Sequence, residues 1–599
     1  MPLEHADPPS SQALVSDLLQ RWCEGMINLQ IDDPSDSARH GALDCPGCGR
    51  IHGRCFDAVY PLFHMAKATG EVKYLAAGKS LFAWSKNVSQ PDGSWTVMPD
   101  PNSWKGVTVF GAIALAKTLH YHGDLLDKAE RSRWTNRLVL AANYVFENFD
   151  LTFANINYGF SAIYALHLLG RQLGEPRYLE RSRELAQQAK RYFTRPHKLV
   201  YGEAKPTERL SVRGLPAVDL GYNVEESLNG LVLYALAEND TELLDLLEKS
   251  LASHLEFMLP DGGWDNSWGT RQFKWTYWGS RTSDGCQPAY LAMRPRNPAF
   301  ATAALKNLEL LKRCTSPTGL LYEGIHYDSH GLDPCIHHTF AHAKPLAYIL
   351  DSGADCSPPA TPLPRSRAYG IKSFPEIATH LAAIGPWRAT ITAYDFLYRP
   401  GVQQATGGSL SLLWHQKLGP LCAASMARYQ LVEPHNQQAA PDDEDFPLTP
   451  RLEKAHNGIL YSNLFDLKAT VSIASTSSSL TFNVSTKLNN CDYQELPVEC
   501  QLRYTFTNDS LEIQAHCSQE ASFVLPILSP SSDSVSQTAL HCIQINKAGG
   551  SLVLASSYEL TIRHTKRDRT FNRVPGAQAV PIEATVPANA PLRLLLRVS

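Results

Sequence analysis

The chain predicts a multidomain α-then-β protein, an N-terminal (α/α)6-type toroid followed by an antiparallel β-sandwich. Three observations carry that expectation. From about residue 10 to residue 352, apolar residues recur at helical spacing in about twelve successive segments with almost no strand pattern between them. Short turns alternate with long loops, as expected of helical hairpins set in a ring with their long loops gathered on one face. After a proline-rich stretch, the apolar period changes from helical to two.

The helical segments are 11–29, 57–69, 73–87, 108–121, 127–147, 157–172, 176–193, 224–238, 241–257, 287–293, 298–313 and 337–351. GEVK at 70–73 and GEPR at 174–177 are short turns, whereas 88–106, 194–222, 258–286 and 314–336 are long loops. PDGSW at 91–95 and PDGGW at 260–264 recur in two of these loops. Asp-Gly makes a tight turn and Trp a packing anchor, so the recurrence speaks for repeated hairpins rather than for chemistry. Four prolines within 356–365 mark a stiff linker, which places a toroid domain at 1–355, the linker at 356–366 and a sandwich at 367–599. One short helix is expected around 374–383. Period-two runs then follow at 388–395, 409–416, 480–485 and 502–515, the last a hairpin turning at Asn508 and Asp509.

Hydrophobic residues at 44% and charged residues at 19% describe a globular chain, and a formal charge of -4 without any Lys/Arg block argues against a nucleic-acid partner. No apolar run approaches a membrane span. Residues 1–20 lack a basic and apolar leader, which predicts a cytoplasmic protein as the sequence stands, or a periplasmic or secreted one if a leader has been trimmed. Thirteen scattered cysteines suit reduced thiols better than a disulfide framework.

Candidate chemistry concentrates in the loops. The stretch 201–229 ends in GYNVEESLN and sets Tyr222, Asn223, Glu225 and Glu226 at the mouth of an apolar helix, either as a site or as an ordinary helix cap. Loop 258–286 holds four of the eleven tryptophans, with Trp268, Trp275, Tyr277 and Trp278 interleaved with Arg271, Lys274 and Arg281. Aromatics stack on sugar rings and guanidinium groups pair with carboxylates, so the loop suggests an acidic carbohydrate, unless the rings form the loop's own core. Asn155, Asn157 and Tyr158 open a helix in FANINYGF. An amide beside a bound uronate can neutralise it and ease removal of the α-proton, the hard step of β-elimination, with Tyr222 as base or acid. His337 and His338 open the last helix as site ligands or helix-start residues.

Near the N-terminus, Cys45 and Cys48 followed by His52 and Cys55 resemble a zinc knuckle. The alternatives there are buried thiols, or a substrate role for His52 and Arg54. No phosphate loop, zinc-protease helix or nucleophile elbow occurs, and the chemistry requires no cofactor beyond a candidate structural zinc.

FANINYGFSAIYALHLLG, LVYGEA followed by GYNVEESLNGL, and ATGGSLSLLWHQKLGPLCAAS at 405–425 resemble the polysaccharide lyases that join an (α/α) toroid to a β-sandwich, the heparinase II/III-like and alginate-lyase-like group. The resemblance implies a lyase acting by β-elimination on an acidic oligo- or polysaccharide, with Asn157 as neutraliser and Tyr222 as base or acid. Tyr158 stands where that group carries His, which leaves His337, His338 or Tyr277 as the second proton carrier. Asn223, Glu226, Trp268, Arg271, Trp275, Trp278 and Arg281 complete the expected substrate contacts. A glycoside hydrolase using a pair drawn from Glu225, Glu226, Asp265 and Glu323 is the rival reading. A noncatalytic carbohydrate-binding protein is the third.

Overall fold

The computed structural model describes residues 11–399, 402, 405–439 and 446–599. Its helices are α1 (Ser11–Ile27), α2 (Val59–Thr69), α3 (Val72–Trp84), α4 (Thr108–His122), α5 (Lys128–Asn148), α6 (Ile156–Leu173), α7 (Pro176–Ala189), the single turn α8 (Leu220–Tyr222), α9 (Leu228–Glu238), α10 (Thr241–Leu255), α11 (Gln287–Ala292), α12 (Pro298–Arg313) and α13 (Ile336–Asp351). Helices α2, α4, α6, α9, α11 and α13 each touch the next, and α13 returns to α2, so these six form a closed inner ring. Each packs an outer partner, in the pairs α2/α3, α4/α5, α6/α7, α9/α10, α11/α12 and α13/α1. The inner helices are buried nearly all round, as in α9, where Leu228 to Ala235 are all buried. Outer α7 instead buries only one stripe through Tyr178, Ser182, Leu185, Ala186 and Ala189. A helix that is apolar all round has to be interior, so composition itself sorts inner from outer.

Short turns lead from inner to outer helices, and left-handed residues stop three of the inner ones: Gly70, Gly174 and Asn239, at φ 73°, 70° and 54°. The longer connections run from outer helices back to inner ones and so collect at one end of the ring. Three of them open with the same bridged turn, Ser89 to Trp95, Met258 to Trp264 and Thr315 to Leu321. At each tip a glycine with positive φ (Gly93, Gly262, Gly319) presses on an outer-helix carbonyl. A Cβ there would lie 2.3 Å from Leu140 O, 2.2 Å from Lys306 O and 2.4 Å from Arg21 O respectively. The PDGxW recurrence is thus the visible part of a structural repeat.

Within loop 258–286 lies a two-residue hairpin, β1 (Trp275–Thr276) and β2 (Gly279–Ser280). Beyond the linker, β3 (Gly370–Phe374), β4 (Thr379–Ile384), β5 (Trp387–Thr392), β6 (Ser409–His415) and β7 (Gly419–Ala423) form a five-stranded antiparallel sheet in chain order. A fourteen-stranded antiparallel sheet between Arg451 and Val598 packs on it. Their shared core includes Trp387, Ile391 and Leu413 from one sheet and Phe482, Tyr504 and Ile513 from the other. Strand Glu495–Phe506 alternates exposed and buried residues along its length, and its hairpin with Ser510–Cys517 turns at Asn508 and Asp509 as the pattern predicts.

The short helix expected around 374–383 is replaced by two strands. Pro375 starts a single 3-10 turn that ends at Ala378 with φ 43°, and the chain reverses there from β3 into β4. The linker is held rather than free. Arg365 is fully buried and donates to Asp265 Oδ2 of the toroid (2.8 Å) and to the Ala389 carbonyl of β5 (2.9 Å). Among the described residues no helix is long and apolar enough to cross a membrane.

Candidate active site

Where the gathered loops meet the sandwich there is a cleft of about 380 Å³, lined from the toroid by Trp104, Asn155, Tyr158, Lys205 and Arg271 and from the sandwich by Tyr398, Arg399, Glu433, His435 and Asn436. Asn155 occupies the N-cap position of α6, but its side chain caps nothing; Nδ2 donates to the Tyr398 hydroxyl instead (3.1 Å). One turn into the helix, the Tyr158 hydroxyl accepts from Trp104 Nε1 (3.1 Å), whose ring stands edge-on to it. Trp104 is 41% exposed and presents a large aromatic surface to the cleft.

The floor of the cleft is a buried charge cluster. Arg271 donates to Glu203 Oε2 (3.2 Å) and Glu433 Oε1 (2.9 Å), and Lys274 Nζ lies 2.7 Å from Glu433 Oε2. Burial pushes Glu203 up to about 8 despite Arg271, because only one of its oxygens has a partner. Burial lowers Lys274 to about 8 against the pull of Glu433. Burial opposes the charge of Glu433 as well, yet Lys274 and Arg271 hold it well below the usual carboxylate range. At neutral pH two cations therefore face one ionised carboxylate, and the floor is net positive. Burial, aided by Glu433 and Glu226, raises Tyr158 above the ordinary phenol value and keeps it protonated.

The stretch 201–229 builds the wall behind this floor. Asp219 caps α8 by accepting from the Tyr222 N–H (3.1 Å), and it also accepts from the Arg271 N–H (2.9 Å) and from Asn266 Nδ2 (2.9 Å). Asn223 to Ser227 then form a π-helical turn leading into α9, a local widening that recurs at functional sites. Tyr222 is 4% exposed. Its hydroxyl donates to the Arg281 carbonyl (2.9 Å) and its ring lies 3.9 Å beneath the Arg271 guanidinium. Asn223 Nδ2 donates to the Val200 carbonyl (2.9 Å), which ties the wall together rather than reaching the cleft. Glu225 accepts from Ser280 N–H (2.8 Å), and Glu226 accepts from Asn157 Nδ2 (2.6 Å). Both glutamates face a small cavity of about 60 Å³ at the centre of the ring. There Arg54, Asp57, Asp284 and Lys344 form a buried ion network, and burial raises Glu226 to about 7.

These placements divide the residues singled out from the sequence. Tyr158 and Arg271 line the cleft, whereas Asn157, Tyr222, Asn223 and Glu226 lie behind it. Arg54 is committed to Asp57 (2.9 Å) and Asp284 (2.5 Å). The expectation of ring stacking by Trp268, Trp275, Tyr277 and Trp278 is corrected. All four are at most 1% exposed, Trp275 Nε1 donates to the Trp264 carbonyl (2.8 Å), Trp278 Nε1 to the Tyr322 carbonyl (2.9 Å) and the Tyr277 hydroxyl to Asp261 (3.0 Å). The loop is large enough to need a core of its own, and these rings are that core. Arg281 likewise serves structure. It is fully buried, lies 3.2 Å from Glu323 and also donates to the Arg573 carbonyl of the sandwich. His338 accepts from Thr282 N–H on Nδ1 (3.2 Å), so Nε2 carries the proton donated to Glu323 (2.7 Å).

The metal-ligand expectation is corrected in its membership. His52 accepts from Arg54 N–H (3.0 Å) and approaches Asn436 Oδ1 with Nε2 (3.1 Å), and neither His52 nor Cys55 joins Cys45 and Cys48. Cys335 and His337 do, and His337 is buried and does not line the cleft. Sequence reading missed Trp104, Tyr398, Glu433, His435 and Asn436. Only Trp104, in a long loop between helices, carried a signal that could have singled it out.

Comparison with known proteins identifies the family. The family model described as Ulvan lyase N-terminal domain matches residues 19–366, and the one described as Ulvan lyase C-terminal domain matches 371–599. A broad-specificity ulvan lyase of Formosa agariphila is 49% identical over 583 residues, which cover 95% of this chain and 91% of that one. The crystal structure of heparinase III superimposes with a TM-score of 0.56 at 9% identity, covering all of this chain and 85% of that one, and so shares the toroid-plus-sandwich fold. With both halves matched by paired family models and a close relative along nearly the whole length, the chain belongs to the ulvan lyase family and is a polysaccharide lyase.

Proposed function

We propose that the cleft between α6 and the sandwich cleaves a uronate-bearing polysaccharide by β-elimination, with ulvan, the substrate named for the relative, as the first to try. The observation that carries this reading is the convergence on one cleft of a protonated phenol, an imidazole, an amide and a net-positive floor. Arg271 and the Asn155 amide stabilise the uronate carboxylate and the enolate-like charge that grows on it, and Lys274 adds positive charge from behind Glu433. His435 takes the C5 proton. The electron pair forms the C4–C5 double bond, and the departing O4 receives a proton from Tyr158. Trp104 stacks on a neighbouring ring. Tyr222 and Asn157 act from behind, one holding Arg271 by its ring face and the other holding Glu226.

The hydrolase alternative finds little support in the cleft, since Glu433 is the one carboxylate lining it among the described residues, and a pair is required. Asp265 and Glu323, offered for that pair by the sequence, are tied to Arg365 and Arg281.

The test is ultraviolet absorbance of the conjugated product. Tyr158→Phe and His435→Ala should each lose about 10²- to 10⁴-fold in kcat, while Tyr222→Phe, whose hydroxyl meets only the protein, should stay far closer to the parent. Reducing ends released without absorbance would overturn elimination. An inactive Tyr222→Phe beside an active Tyr158→Phe would reverse the two tyrosines.

A further inference from the structure

We propose that Cys45, Cys48, Cys335 and His337 bind one Zn²⁺ that pins the N-terminal segment of the toroid to its last inner helix. This inference stands apart from the catalytic assignment. The two thiols of the Cys45–Cys48 turn come from a loop closed by the Gly49 N–H donating to the Cys45 carbonyl (2.8 Å). The other two groups arrive from nearly three hundred residues away, Cys335 at the N-cap of α13 and His337 in its first turn. All four ligand atoms lie within 4.8 Å of one another. Cys45 Sγ is 3.7 Å from Cys335 Sγ, Cys48 Sγ is 3.8 Å from Cys335 Sγ, and Cys48 Sγ is 3.8 Å from His337 Nδ1.

Those separations have a geometric meaning. Zn–S bonds of about 2.3 Å at tetrahedral angles put neighbouring sulfurs about 3.8 Å apart. A disulfide would need about 2.05 Å, and it would leave the third thiol unmatched. Three thiols and an imidazole in a tetrahedral array select Zn²⁺ over the harder divalent cations, which prefer oxygen. Cys45, Cys335 and His337 are at most 2% exposed and Cys48 is half-buried, and four protein ligands leave no open position, as suits a structural metal that meets no substrate.

The consequence reaches the cleft through His52. Its ring lies 4.8 Å from that of His337, and its Nε2 contacts Asn436 at the cleft rim. Nearby, Arg50 donates to the Gln437 carbonyl (2.7 Å). The metal thus fixes the toroid side of a seam on which the sandwich segment bearing Glu433 and His435 rests.

The full-length protein, purified under reducing conditions without chelator, should carry about one zinc per chain by elemental analysis. Cys335→Ser and Cys48→Ser should lose that zinc, and Cys55→Ser should keep it. Because a variant here can fail to fold, the unmutated protein supplies a second reading. Replacing the metal with Co²⁺ should give the visible absorption of tetrahedral cobalt together with sulfur-to-cobalt charge transfer. Protein that purifies without zinc, and takes up neither Zn²⁺ nor Co²⁺ with its thiols reduced, would overturn the proposal. So would zinc retained in full by a folded Cys335→Ser variant.

Discussion

Tyr158 and the floor beneath it are governed by how far burial outweighs pairing for each group. Glu203 and Lys274 both sit near 8, one raised and the other lowered, while Glu433 is held ionised. As pH rises through 8, Glu203 gains a negative charge and Lys274 loses a positive one, so the floor passes from net positive to net negative. For a polyanionic substrate KM should therefore climb steeply above pH 8, with kcat less affected. Glu203→Gln, which keeps the neutral form, should shift that climb to higher pH. An unchanged pH profile of KM in Glu203→Gln would show that this cluster does not face the substrate. The sequence exposed Tyr158 and Arg271 because they lie beside a helix start and in an aromatic loop. It hid Glu433 and His435, because nothing local marks a loop between strands as the far wall of a cleft.

At the scale of elements, the helical period was legible because each inner helix must be apolar all round and each outer one striped. The five-stranded sheet was less so at its start, where Pro375 and the left-handed Ala378 make a turn that reads as a short helix. The tryptophan-rich loop misled for a related reason. Aromatics in a long loop signal either a ligand or an internal core, and only the fold tells which. The repeated loop tips allow a direct comparison of glycines. Gly262 and Gly174 both have positive φ, but a Cβ on Gly262 meets Lys306 O at 2.2 Å, whereas nothing lies within 4 Å at Gly174. Gly174→Ala should cost about 1–2 kcal/mol from backbone strain alone. Gly262→Ala should add about 1–3 kcal/mol for the displaced outer helix. Thermal unfolding of the two variants should rank them in that order, and equal melting temperatures would refute the role assigned to the loop tips.

For the whole molecule, the cleft exists only because toroid and sandwich are held in one relation, and Arg365 is a principal tie. The proline-rich composition suggested a spacer. What composition could not convey is that one arginine within it is swallowed between the domains. Its partner Asp265 is fully buried and is also bonded by Ser267 (2.6 Å) and by Thr390 of β5. Removing the guanidinium strands that carboxylate without a counter-ion, and breaking a buried pair in this way costs about 3–5 kcal/mol. Replacing both partners by apolar residues removes the stranded charge along with the bond, so its cost should be smaller. Arg365→Met should therefore lower the melting temperature more than Arg365→Met combined with Asp265→Leu. Because Tyr158 and His435 come from opposite sides of the tie, Arg365→Met should also lose kcat at temperatures well below unfolding. A variant that melts early yet turns over normally while folded would show that the tie supplies stability without setting the cleft.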